Sequence, residues 1–81
     1  MATIGGEVKR LREGKGLTQA QLAVRSHLGM SFVWSVEMGR EVNWCSWHVE
    51  RLAMALEVPE GSLLSLIPIE RLGIRPPDAA A

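Results

Sequence analysis

The chain has 81 residues, 47% of them hydrophobic, which suits one small folded domain and argues against wholesale disorder. Nine Lys and Arg balance nine Asp and Glu, so the basic excess usual in nucleic-acid binders is missing, although a basic face remains open. The single cysteine, Cys45, excludes an internal disulfide framework, and no apolar run approaches the roughly 20 residues of a membrane span. With no signal-peptide core at the N-terminus, a cytoplasmic location is expected.

The first helix is expected over about Gly5 to Glu13. Ile4, Val8 and Leu11 recur at i, i+4, i+7, and Gly14 and Gly16 supply the exit. Four of the nine cations, Lys9, Arg10, Arg12 and Lys15, cluster here. A second helix spans about Thr18 to Ser26, where Thr18 and Gln21 form a Thr-x-x-Gln capping box. His27-Leu28-Gly29 makes a tight turn, and His27 is one of the few non-glycine types that tolerates positive φ. A third helix runs from about Met30 to Met38 and stops at Gly39, with Val33 and Val36 inward.

A fourth helix begins after Asn43, capped by Asn43 or Ser46, and ends near Leu56; Cys45, Val49, Leu52, Ala53 and Leu56 share one face. A fifth starts at Pro59, carries Leu63, Leu64, Leu66 and Ile67, and is cut by Pro68. The expected division is one domain over residues 1–67 and a loosely ordered tail over 68–81, in which Ile69 and Leu72 can pack locally. No period-two alternation argues for a strand.

Two short helices joined by a tight turn over Thr18 to Gly39 form the unit that places a helix in the DNA major groove. The segment resembles the helix-turn-helix domain of the Cro and lambda-repressor type, the xenobiotic-response-element-like family. That family includes phage repressors, restriction-modification controller proteins and small bacterial regulators. Ile4 to Gly16 resembles its first helix, and Val49 to Leu64 its last two, so about four fifths of the chain is covered. The stretch from Gly39 to Trp47 reads as one residue longer than in typical relatives. The fold implied is all-α, a compact five-helix bundle with a central helix-turn-helix.

The resemblance implies a structural ion pair between Arg12 and Glu37, tying the first helix to the third. It implies a phosphate contact from Gln19 at the N-terminus of the second helix, and Arg40, Lys9 and Arg10 are further phosphate candidates. Met30, Ser31, Trp34 and Ser35 are the base-contact candidates. With Val33 and Val36 inward, Ser31, Trp34, Ser35 and Met38 point outward. This face has no Arg, Lys, Asn or Gln, so it lacks the bidentate contacts that dominate major-groove readout. Two readings stay open: serines and thymine-methyl contacts read DNA, or the apolar face around Trp34 meets a protein.

Trp44, Trp47, Arg51 and Met54 are expected on the outer side of the fourth helix. With Leu64 they resemble the surface such regulators use to dimerise. Trp47 and Arg51, four apart, are placed to stack. His27, Cys45 and His48 match no zinc spacing, so neither a metal nor a cofactor is expected. No catalytic constellation stands out, so an enzyme is not expected. The expectation is a homodimeric, sequence-specific DNA-binding regulator of transcription, bacterial or phage in character. The alternative is a protein-interaction module on the same scaffold.

Overall fold

Thr3 starts the first helix: its backbone is extended and its hydroxyl accepts the Gly6 N–H at 3.0 Å. The computed structural model describes residues 3–68 and Arg71. Five helices follow in order: α1 (Ile4–Gly14), α2 (Gln19–Ser26), α3 (Met30–Glu37), α4 (Ser46–Leu56) and α5 (Glu60–Leu64). The architecture is an all-α, compact five-helix globule, and α2 and α3 form its helix-turn-helix. No helix among the described residues is long and apolar enough to cross a membrane.

The first four helices end the same way. Each is followed by a residue with positive φ: Gly16 (71°), His27 (57°), Gly39 (78°) and Glu57 (59°). In each case that residue and the next donate their N–H groups back to carbonyls of the last turn, as in Leu17 to Arg12, Leu28 to Ala23, Arg40 to Ser35 and Val58 to Ala53. This is the Schellman arrangement, which satisfies carbonyls that a helix end leaves open. Three of the four connections that follow have only three or four residues, while that from α3 to α4 has eight. His27 adopts the left-handed conformation that its residue type tolerates, while Glu57 had no signal in the sequence.

The core joins Val8 of α1, Leu22 and Ala23 of α2, Val33 and Val36 of α3, Val49, Leu52, Ala53 and Leu56 of α4, and Leu63 of α5. α3 packs on α1 and α2, α4 on α2, and α5 on α4 and α1. α1 and α3 approach so closely that a Cβ at Gly5 would overlap the Val36 carbonyl oxygen. Glycine is required there by space, since any side chain would push the two backbones apart.

The later elements depart from the sequence expectations. α4 starts at Ser46 and is capped by Cys45, not by Asn43 or Ser46. Cys45 is a half-buried cap at the end of the expected apolar face. Trp44, expected on the outer side of this helix, precedes it and is 2% exposed, a core residue. Its N–H donates to the Arg71 carbonyl at 2.9 Å, and the Arg71 guanidinium pairs with Glu41. α5 ends at Leu64, four residues before Pro68, with Pro59 as its cap; Ile67 still reaches the core from the turn beyond. The expected packing of Ile69 and Leu72 lies outside the described residues.

Candidate nucleic-acid interface

The inner side of α3 is fixed by a buried ion pair. Arg12 Nε donates to Glu37 Oε2 at 2.6 Å, and Arg12 Nη2 donates to Glu37 Oε1 at 2.9 Å. Their side chains are 11% and 2% exposed. Arg12 Nη1 donates to the Leu17 carbonyl at 2.7 Å, which anchors the segment entering α2. These hydrogen bonds to Glu37 hold the Arg12 guanidinium above its ordinary range, against the opposing pull of burial. Two charges so far from water are tolerated because the two-pronged geometry and the extra carbonyl satisfy them.

Gln19 joins the same network. Its Nε2 donates to Glu37 Oε1 at 3.1 Å. An amide nitrogen carries two hydrogens, so one remains for a phosphate once Glu37 holds the other. Arg12, Glu37 and Gln19 therefore connect α1, α3 and the start of α2 through one carboxylate.

The outer side of α3 faces solvent. Met30 is 52%, Trp34 39% and Met38 59% exposed. Ser31 is exposed and Ser35 half-buried. Phe32 turns the other way and packs, partly buried, on the core. Arg40 lies beside this face with its guanidinium carbon 4.8 Å from the Trp34 ring centre, a cation–π contact.

The basic cluster expected on α1 is largely neutralised. Arg10 forms a fork with Glu7, at 3.0 and 2.6 Å. Each holds the other in its charged form, raising the Arg10 pKa and lowering that of Glu7. Lys15 pairs with Glu57 at 2.9 Å, and Arg12 is committed to Glu37. Among the described residues, Lys9, Arg25, Arg40 and Arg51 have no carboxylate within ion-pair distance, and of these Lys9 and Arg40 are phosphate candidates.

A second surface lies on α4. Trp47 is 44%, Met54 78% and Leu64 of α5 37% exposed. Arg51 covers the Trp47 ring at 4.8 Å, the stacking that their spacing suggests. Arg51 Nη1 also donates to the His27 carbonyl at 3.1 Å, so it ties α4 to the α2–α3 turn. The other neighbour of Trp47 is His48, with ring centres 3.9 Å apart, and His48 stacks on Phe32 of α3 at 4.3 Å and 23°.

In the sequence His48 stands out only as a metal-ligand type at the wrong spacing. Its Nδ1 accepts the Cys45 N–H at 2.9 Å, which completes the start of α4. Burial, and then the nearby Arg51 charge, push its pKa down, so the neutral ring that can accept this bond is favoured. A polar residue three positions after a cap is the available signal, but histidine is not the usual occupant.

A family model described as a helix-turn-helix domain matches residues 3–66. The match takes in all five helices and the Arg12, Gln19 and Glu37 network. No curated protein matches the chain.

Proposed function

The chain belongs to the helix-turn-helix domain family, and on that premise we propose that it binds double-stranded DNA as a homodimer and regulates transcription. α3 is the helix that enters the major groove. The observation that carries the reading is the contrast between its two sides: the inner side is locked by Val33, Val36 and the Arg12–Glu37 pair, and the outer side is exposed at Met30, Ser31 and Trp34. A rigid helix with a free face is what groove recognition requires.

Met30, Ser31 and Ser35 are the base-reading candidates, with the serines supplying hydrogen bonds and Met30 an apolar contact to a thymine methyl. Gln19, Arg40 and Lys9 supply phosphate contacts, and Arg10 does so only by leaving Glu7. Trp47, Met54 and Leu64, with Arg51 over Trp47, form the surface on which two copies meet. Trp44 is not part of it. Two copies would present two α3 helices about 34 Å apart, one turn of DNA.

The exposure of Met30, Trp34 and Met38 favours one other reading, in which this face binds a protein. Selection of bound duplexes from a random pool separates the two. An enriched motif supports DNA recognition. No motif, together with capture of a protein partner that Trp34→Ala abolishes, supports the other.

A further inference from the structure

We propose that Trp34 is a positioning residue for Arg40 and does not itself read bases: its ring holds the Arg40 guanidinium at the C-terminal end of α3, aimed at a backbone phosphate. The proposal rests on the DNA-binding reading above and assigns a role within that site.

The path of the chain brings the two residues together. Gly39 takes positive φ, and Arg40 donates its N–H to the Ser35 carbonyl at 2.9 Å. The chain therefore turns back over the last turn of α3, and the guanidinium of the exposed Arg40 lies over the ring of Trp34, the fifth of the eight residues of that helix.

The chemistry of the contact suits a phosphate. A guanidinium carries its five donors in its own plane, while stacking uses its face. The Trp34 ring therefore fixes the orientation of Arg40 without consuming a donor. Pairing with a carboxylate would consume donors, as it does for Arg10. Arg40 has no carboxylate within ion-pair distance among the described residues, so its charge stays available. Holding a long side chain in its bound orientation lowers the ordering cost of association.

A double-mutant cycle on DNA binding tests this, with duplexes selected by the wild type and with a scrambled duplex. Trp34→Ala should weaken binding to both by about two- to fivefold, the worth of an exposed cation–π contact, and leave the selected motif unchanged. In an Arg40→Ala background, Trp34→Ala should have no further effect. Trp34→Phe should keep part of the affinity, and circular dichroism checks that each variant remains folded. A changed motif in Trp34→Ala would show that the ring reads a base and overturn the proposal. Equal losses in the presence and absence of Arg40 would overturn it too. A wild type that binds no duplex would remove the DNA reading itself, and that outcome is visible before any variant is made.

Discussion

Arg12 and Glu37, 25 residues apart in the chain, meet through two hydrogen bonds of 2.6 and 2.9 Å with both side chains nearly sealed from water. The pair fixes α3 against α1 and also holds Gln19 at the start of α2. Removing one partner strands the other charge, a loss of ~3–5 kcal/mol for a buried pair. Arg12→Met should therefore be strongly destabilised in urea titrations. The double change Arg12→Met with Glu37→Leu should recover much of the loss, because apolar groups of similar volume need no partner. Losses that simply add would show that the two residues do not interact.

His48 gives stability a specific pH dependence. Its folded pKa lies below the ordinary histidine value of 6.5, so the unfolded chain takes up a proton first as the pH falls. The favourable contribution is complete above pH 6.5 and is lost progressively as the pH drops through 6.5 toward the folded pKa. Protonation also removes the acceptor for the Cys45 N–H. His48→Asn keeps an acceptor near the Nδ1 position and does not titrate. Its stability, measured by urea unfolding between slightly alkaline and mildly acidic pH, should vary less than that of the wild type. Identical profiles would refute the role given to His48.

Trp47 is expected to anchor the dimer. Its ring is held between His48 and Arg51 and remains 44% exposed. A charge at such an anchor should cost at least ~2 kcal/mol, about 30-fold in the dimer dissociation constant. Sedimentation equilibrium should find the wild type dimeric at tens of micromolar and Trp47→Glu monomeric with the same helix content. A monomeric wild type would contradict the assignment.

Ion pairing on α1 limits electrostatic binding. Each phosphate neutralised by a cation contributes about −0.9 to the slope of log affinity against log salt. With Lys9 and Arg40 as the phosphate candidates that no ion pair holds, the slope should be no steeper than about −2 per protomer. Arg10→Ala should matter less than Arg40→Ala, since Arg10 must first leave Glu7. A slope near twice that value would mean the pairs on α1 open on DNA.

Much of the scaffold was legible in the sequence because it is written in local chemistry. Thr18 and Gln21 form the capping box at 3.1 and 2.8 Å, Val33 and Val36 are inward, and the turn at His27 has the expected positive φ. The segment from Arg40 to Trp44 was not legible. A helical period extended back to Trp44 points it outward, but residues before Ser46 are not helical, and burial of its ring depends on α3 and α4 together. The candidate site divides the same way. The family resemblance pointed to Arg12, Glu37 and Gln19, but the Glu7–Arg10 and Lys15–Glu57 pairs, and the placement of Arg40 on Trp34, depend on side-chain geometry that spacing does not encode.

Selection from random duplexes at moderate salt tests the central claim most directly, since it asks whether α3 distinguishes one sequence from another. The expected result is a single enriched motif with two-fold symmetry, its half-sites about one turn of DNA apart. Ser31→Ala and Ser35→Ala should each alter the preference at one position per half-site, by up to ~1–3 kcal/mol. Recovery of no motif, with weak binding indifferent to Ser31 and Ser35, would contradict the claim.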